Sequence, residues 1–127
     1  MDYRLELVPI PVSDVERAKA FYVEKVGFNV DLDVNASTDP RVSGDRRVVQ
    51  LTPPGSACSI AFGIGILATQ PGSVQALHLV VSDIAAARAE LIERGVEVGR
   101  VQDLGGVLYA PFSDPDGNGW TLQQLPY

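Results

Sequence analysis

Short apolar runs alternate with helical patterns along the chain, and the same order of elements occurs twice. An apolar run over residues 5–12 precedes one helical pattern, and a second run over residues 77–81 precedes another. Three further apolar stretches follow each helical pattern, so each half is predicted as strand, helix, strand, strand, strand. The predicted strands lie near residues 4–12, 27–34, 46–52, 57–63, 76–81, 95–101, 106–112 and 118–125.

Two sequence echoes indicate an internal repeat. The V-S-D-V motif of Val12–Val15 returns as V-S-D-I in Val81–Ile84, and the turn sequence Thr52–Ser56 is similar to Asp114–Asn118. The first pair precedes the predicted helices, and the second pair is typical of turns that open a strand. We therefore expect one domain of two βαβββ modules. The modules cover about residues 1–68 and 75–127, with a polar loop over 35–45 and a linker over 69–74.

Capping signals set the expected ends of the two helices. The first helix is expected to begin at Ser13 or Asp14, because Ser13 and Glu16 have the spacing of a capping box. Apolar residues then recur at helical spacing until Gly27, which is expected to end the helix. The same pattern predicts the second helix within Ile84–Gly95.

The first strand of each module has two different faces. In the second module, Leu77, Leu79 and Val81 share one face, which is expected to pack beneath the following helix. Ala76 and His78 share the other face, which is smaller and more polar. Such a face either lines a cavity or is exposed to water. The matching residues of the first module are Leu7, Pro9 and Pro11, and the two prolines, which lack N–H groups, also suit a sheet edge.

The motifs together resemble one protein family. The V-S-D motif, the Phe21-Tyr22 pair, Gly27-Phe28 and the D-P-D-G-N-x-W motif over Asp114–Trp120 are similar to the vicinal oxygen chelate superfamily. That superfamily includes glyoxalases, extradiol dioxygenases, fosfomycin-resistance enzymes and bleomycin-binding resistance proteins. The resemblance covers nearly the whole chain. It implies an α+β fold whose two βαβββ modules form a curled mixed sheet around a cavity, with the helices outside, and it implies a homodimer.

The resemblance also indicates where a metal would be held. Enzymes of the superfamily use a divalent metal as a Lewis acid on vicinal oxygens of the substrate. Carried over through the repeated motifs, the family's ligand positions hold side chains that cannot build a divalent-metal site. His78 is the one nearby side chain that could substitute. We therefore expect no metal and no cofactor. The four positions are Leu7, Ser59, Ala76 and Thr121.

Several other side chains are candidates for ligand contact. His78, the only histidine, is expected to touch a ligand, and a hydrogen-bonded structural role is the alternative. Trp120 alternates with Thr121 and is expected in the core. The sequence does not fix which face Gln50 and Tyr109 occupy, so ligand stacking and ordinary packing both stay open for the ring. The predicted ligand-binding residues are Leu7, Pro9, Gln50, Ser59, Ala76, His78, Tyr109, Thr121 and Gln123.

Charge and composition narrow the partners. Sixteen acidic and ten basic side chains give a net charge of -6, which argues against nucleic acid or an anionic membrane as a partner. No apolar run approaches the roughly 20 residues of a membrane span. The chain starts without a signal-peptide pattern and has one cysteine, so we expect a cytoplasmic protein.

These patterns favour binding over catalysis. We predict a metal-independent protein that binds a small organic molecule and, by analogy with the bleomycin-binding branch, sequesters an aromatic natural product or antibiotic. One alternative is a glyoxalase-like lyase or isomerase with an unconventional or absent metal site. Another is a regulatory or structural dimer with an empty cavity.

Overall fold

Two four-stranded sheets and two helices make up the chain, which a computed structural model describes over residues 1–127. Both halves have the order strand, helix, strand, strand, strand, which confirms the α+β prediction. The first half contains β1 (Leu7–Pro9), α1 (Val15–Ala20) with a π-helical continuation (Phe21–Val26), β2 (Asn29–Asn35), β3 (Arg47–Thr52) and β4 (Ser59–Ile64). The second half contains β5 (Leu77–Val80), α2 (Ile84–Glu93), β6 (Gln102–Leu104), β7 (Val107–Ser113) and β8 (Gly119–Gln124).

The two sheets have the same topology. Sheet 1 has the order β1-β4-β3-β2 and sheet 2 the order β5-β8-β7-β6. In each, the first strand is an edge strand that pairs in parallel with the last, and the other pairs are antiparallel. Pro9 therefore stands on an edge strand, where the loss of an N–H group is tolerated. Neither helix is long or apolar enough to span a bilayer.

The first helix begins differently from the expected capping box. Its N-cap is Asp14, whose carboxylate accepts a hydrogen bond from the Arg17 N–H at 3.1 Å. The hydroxyl of Ser13 instead donates to the carboxylate of Asp116 in the other module. The helix therefore begins at one of the two expected residues, Asp14, but without the capping box, because the Ser13 N–H that Glu16 would have accepted donates to Asp116 Oδ2 at 3.0 Å. Gly27 ends the helical segment with a φ of 93°, as expected.

The sixth strand lies later in the sequence than expected. The alternating stretch 95–101 was predicted as a strand, but only Val98 forms an isolated bridge there, to Phe112, and β6 follows at Gln102–Leu104. The Arg88 guanidinium donates to the carbonyl oxygens of Val98 and Gly99, at 3.3 and 2.8 Å. These two carbonyl oxygens accept from a side chain, while the Gly99 N–H donates to the Pro111 carbonyl oxygen of β7 at 2.8 Å. Val96 and Val98 are buried, whereas Val101 is 39% exposed.

One hydrophobic core joins the helix-facing sides of both sheets. Tyr22 is fully buried, and its ring lies 5.7 Å from that of Trp120 in the other half. Its hydroxyl donates to Asp114 Oδ2 at 2.7 Å and accepts from Trp120 Nε1 at 2.9 Å. Burial, with the neighbouring Asp114 carboxylate, raises the pKa of Tyr22 well above its ordinary value. The core position predicted for Trp120 is confirmed.

A buried asparagine ties the two halves together at the D-P-D-G-N turn. Asn118 Nδ2 donates to the Pro11 carbonyl oxygen and to Asp114 Oδ2, both at 2.8 Å, and its Oδ1 accepts from the Val74 N–H at 3.2 Å. Asn118 has no exposed surface. Because every polar atom of this amide is paired, its burial avoids the desolvation cost of an unpaired group. The motif therefore stabilises the junction between the modules.

Candidate functional site

The sheet faces that point away from the core form the candidate site, and we call them the open faces. On sheet 2 the open face holds exposed residues of the edge strand, such as His78 and Val80, and Tyr109 and Thr121 on the inner strands. On sheet 1 it holds Leu7 with the residues in register beside it. Strand alternation explains the division, since the neighbours of these residues on the same strands point into the core.

Sheet 2 brings four of the predicted residues into one cluster. His78 lies opposite Thr121 on β8, and Gln123 lies opposite Tyr109 on β7. The ring centroids of His78 and Tyr109 are 5.9 Å apart at 76°, an edge-to-face arrangement. The sequence left both ligand stacking and ordinary packing open for Tyr109. The structure places its partly exposed ring on the open face and not in the core.

The imidazole of His78 has a defined hydrogen bond. Its Nδ1 lies 2.8 Å from Gln123 Oε1. Because an amide oxygen only accepts, Nδ1 carries the hydrogen, and Nε2 of the neutral ring is left as an acceptor. No carboxylate bonds this ring, so the group that usually orients a general base is missing. The cluster offers aromatic edges and neutral hydrogen-bonding groups.

Sheet 1 brings four more of the predicted residues together. Leu7 lies opposite Ser59, and Pro9 lies opposite Ala61, which is in turn paired with Gln50. Leu7 is 37% exposed, whereas Ser59 is buried by its neighbours. The open face of sheet 1 therefore has an exposed apolar residue on its edge strand and a buried polar residue on the neighbouring strand.

Two polar residues of this face were missed by the sequence reasoning. The hydroxyl of Thr52 donates to Asp31 Oδ2 and lies 2.6 Å from the Ser59 hydroxyl. Gln50 Nε2 also donates to Asp31 Oδ2, at 3.4 Å. Strand alternation around Ser59 and Gln50 could have indicated Thr52. Asp31 stands at a register shift between Val30 and Leu32, and the sequence carries no clear signal for that irregularity.

Ala76 occupies a different position from the other predicted residues. It precedes β5 and has a φ of 62°, in the left-handed region. The regular alternation that would place it on the same face as His78 therefore does not extend to it. Of the nine predicted residues, Leu7, Pro9, Gln50 and Ser59 gather on sheet 1, and His78, Tyr109, Thr121 and Gln123 gather on sheet 2.

The clefts of a single chain lie away from most of these residues. A cleft of about 650 Å³ opens between the Pro53–Ser56 turn, the β5 edge strand and α2, and His78 is the only predicted site residue that lines it. A second cleft, of about 1020 Å³, lies between the π-helical segment and the Val96–Gly99 stretch and contains none of them. Neither of these two clefts is therefore the expected cavity.

The four positions at which the resemblance would place metal ligands do not fit a divalent metal. Leu7 and Ala76 have no donor atom, and Ser59 and Thr121 have only neutral hydroxyls, whereas such sites use imidazole, thiolate or carboxylate groups. No group of three or more His, Cys, Asp or Glu side chains is arranged to hold a metal ion. No chemical step through a metal is derived for this site.

Solved structures of three bacterial proteins are similar to this chain. The crystal structure of TnmS3, an antibiotic binding protein from Streptomyces sp. CB03234, is 39% identical, with a TM-score of 0.83 over 98% of this chain and 97% of that chain. A glyoxalase/bleomycin resistance protein from the same organism is 37% identical, with a TM-score of 0.79 over 95% of this chain and all of that chain. A superfamily member from Sphaerobacter thermophilus DSM 20745 is 30% identical, with a TM-score of 0.80 over 97% and 98% of the two chains.

Comparison with curated proteins finds no match. The family model described as Glyoxalase/Bleomycin resistance protein/Dioxygenase superfamily matches residues 4–122, from before β1 to the middle of β8. The match therefore includes both sheets and both helices. The chain belongs to the Glyoxalase/Bleomycin resistance protein/Dioxygenase superfamily.

Proposed function

We propose that this protein is a metal-independent binding protein that sequesters an aromatic natural product or antibiotic. The observation that carries the proposal is the His78–Tyr109–Gln123 cluster, which combines aromatic edges with neutral hydrogen-bonding groups. Such a mixture is typical of small-molecule pockets. TnmS3, which is 39% identical to this chain, is an antibiotic binding protein, and this supports the same class of ligand. The proposed contacts are the nine residues Leu7, Pro9, Gln50, Ser59, Ala76, His78, Tyr109, Thr121 and Gln123.

We propose further that two copies of the chain complete each cavity. The open faces carry exposed aliphatic side chains, with Val80 and Leu104 each 61% exposed. The edge strands β1 and β5 each form one border of an open face. A two-fold dimer would cover such surfaces and edges and would create two equivalent cavities. Native mass spectrometry at micromolar concentration should give the dimer mass, and a monomer mass would count against the arrangement.

Metal independence has a direct test. A ligand that binds the native state raises the melting temperature by mass action. Added Zn²⁺, Ni²⁺, Mn²⁺ or Fe²⁺ should therefore leave the melting temperature of the purified protein unchanged. A stoichiometric rise that a chelator reverses would contradict the proposal and would favour the lyase or isomerase alternative.

Binding itself is tested with neighbouring residues of β8. Thr121 stands at the centre of the open face of sheet 2, and Leu122 points into the core with 3% exposure. Titration with a panel of polycyclic aromatic antibiotics, doxorubicin among them because of its fluorescence, should show binding by the parent protein. Thr121→Trp should abolish binding with little change in the melting temperature, because the indole would fill the cavity.

Leu122→Ala is the matched control. It should lower the melting temperature and retain binding at temperatures where the variant is folded. Binding that survives Thr121→Trp and disappears in folded Leu122→Ala would show that the ligand does not use the open face. Absence of binding across the whole panel would contradict the proposed ligand class.

We also propose a cytoplasmic place of action. Cys58 is a free thiol, and the chain has no second cysteine to pair with it within one molecule. A free thiol suits a reducing compartment.

A further inference from the structure

A β-bulge in β2 directs two neighbouring acidic residues to opposite faces of sheet 1. Leu32 lies opposite Gln50 and Val30 lies opposite Leu51, so Asp31 is the extra residue of the bulge. The side chain of Asp31 lies with Thr52 and Gln50 on the open face. Two residues later, Asp33 lies on the helix-facing side, where it meets Lys19 of α1.

The two carboxylates have different partners. Asp33 forms ion pairs with Lys19 at 2.7 Å and with Arg47 at 2.8 Å. Asp31 forms no ion pair. Its Oδ2 accepts from the neutral groups of Thr52 and, at 3.4 Å, Gln50, and its Oδ1 accepts no hydrogen bond within the chain. The Ser59 hydroxyl lies 3.5 Å from Oδ2 and donates instead to Thr52 Oγ1 at 2.6 Å, because the hydrogen of Thr52 is directed to Asp31. Two donors therefore hold the carboxylate in place and leave one oxygen free.

Asp31 is also the only acidic residue on the open faces. The strand registers place Asp33 on the helix-facing side of sheet 1 and pair Asp103 with the core-side Leu108 in sheet 2. No lysine or arginine of the strands lies on an open face, because Arg47 points toward α1 and Glu16. A ligand on the open face of sheet 1 would therefore meet one fixed negative charge.

We propose that Asp31 is a specificity-determining residue of the ligand site, whose free Oδ1 accepts a hydrogen bond from a hydroxyl or protonated amine of the aromatic ligand. This inference rests on the proposed function and names the ligand class more closely. A hydrogen bond to an ionised acceptor is stronger than one between neutral groups, and a cavity closed by a second copy would strengthen it further. The same charge disfavours an anionic ligand, which would place two negative groups together in that cavity.

Three naphthalene probes of similar shape test the proposal at pH 7. They are 2-naphthol as the neutral donor, 2-methoxynaphthalene as its matched ether, and 2-naphthoate as the anion, and their affinities are measured by ¹H–¹⁵N shift titration of the intact protein. The parent should bind 2-naphthol about tenfold more tightly than the ether, the value expected for a hydrogen bond to a charged group. It should bind 2-naphthoate most weakly of the three.

The variant Asp31→Asn should lower the affinity for 2-naphthol about tenfold and raise that for 2-naphthoate, while the ether changes less than about threefold. Asp33→Asn is the matched control, with the same substitution on the same strand but on the helix-facing side, and should change all three affinities less than about twofold. The preferences of the parent protein test the proposal without any variant, so a folding defect in one variant does not decide it.

Two contrary outcomes are distinguishable. If the parent binds the ether as tightly as 2-naphthol, or if Asp31→Asn leaves the affinity for 2-naphthol unchanged, the role of Asp31 is overturned and the aromatic site stands. If the parent binds none of the three probes, the aromatic site and the role of Asp31 both fail.

Discussion

The helix-facing sides and the open faces of the two sheets come from alternating residues of the same strands, yet their chemistry differs. On β8, Trp120 and Leu122 are 4% and 3% exposed and belong to one core shared by both modules. Thr121 and Gln123, which alternate with them, lie partly exposed beside His78. Each strand therefore contributes alternate residues to the core and to the open face, because successive side chains point in opposite directions.

The open faces of the two modules also differ from each other. Sheet 1 presents Asp31 held by Thr52 and neighbouring polar groups, whereas sheet 2 presents an imidazole paired with Gln123. The buried core residues on the helix-facing sides, in contrast, are aliphatic and aromatic in both modules. Core packing limits change on the helix-facing side, since even small volume changes are felt there.

The largest expected difference between the two faces is at β8. Leu122→Ala should lower the free energy of unfolding by about 2–5 kcal/mol, because a buried leucine leaves a cavity in a packed core. Thr121→Ala, one residue earlier on the open face, should lower it by less than about 0.5 kcal/mol. Urea unfolding of both variants measures the difference. Equal losses of unfolding free energy would mean that Thr121 on the open face contributes to stability as much as the buried Leu122.

A second comparison uses the two repeated turns. Asn118→Ala should lower the free energy of unfolding by about 2–3 kcal/mol, because it leaves the Val74 N–H without a partner and removes one donor each from the Pro11 carbonyl oxygen and the Asp114 carboxylate. Ser56, its counterpart in the first turn, is exposed and bonds only to backbone groups of Cys58. Ser56→Ala should therefore cost less than about 1 kcal/mol. Urea unfolding would contradict this if the two variants were equally destabilised.

The periodic features of the fold could be predicted from the sequence, and the irregular ones could not. Alternation around Leu77 and Leu79 correctly predicted which side of β5 packs on the core, and the spacing of Gly27 predicted the end of the first helical segment. The strand expected over 95–101 was wrong: only the isolated Val98–Phe112 bridge forms there, and the Arg88 guanidinium bonds the carbonyl oxygens of Val98 and Gly99. No local pattern reports such a contact.

In the candidate site, too, the residues that follow regular strand alternation could be predicted from the sequence, and the others could not. His78, Thr121 and Gln123 follow from strand alternation on neighbouring strands, and the structure brings them together. Tyr109 required the pairing register between β7 and β8, which depends on turn geometry and on contacts distant in sequence. Asp31 required a β-bulge, whose position has no clear sequence signature.

Acid should distinguish the two aspartates of β2. The hydrogen bonds from Arg47 and Lys19 hold the pKa of Asp33 at about 2, below its ordinary value of 3.8. Because the folded-state pKa is depressed, the stabilisation is present above pH 4 and is lost as the pH falls through 2. Asp33→Asn should therefore lower the free energy of unfolding by about 1 kcal/mol at pH 7, a value reduced for the partial exposure of the pair.

Urea unfolding at pH 7, 4 and 2.5 measures this loss, and the gap between Asp33→Asn and the parent should narrow at the lowest pH. Asp31→Asn is the control at pH 7, where it breaks no ion pair and should cost less than about 0.5 kcal/mol. A gap that stays constant down to pH 2.5 would show that the Asp33 ion pairs do not account for the destabilisation.

The smallest expected effect concerns the tautomer of His78 on the open face. Gln123 Oε1 accepts from Nδ1 at 2.8 Å, so the neutral ring of the parent protein should carry its hydrogen on Nδ1. Gln123→Ala removes this acceptor from a surface away from the core, and the change in unfolding free energy should stay below about 0.5 kcal/mol. The ¹⁵N chemical shifts of the ring at pH 8 should nevertheless move, because the tautomer with its hydrogen on Nε2 becomes competitive once Nδ1 has no partner.

Gln124→Ala is the matched control, since Gln124 caps the Ile84 N–H on the other side of the strand, and it should leave the ring shifts unchanged. Ring shifts that are identical in the parent and in Gln123→Ala would show that this hydrogen bond does not set the tautomer, and Nε2 would then lose its assignment as the free acceptor of the site.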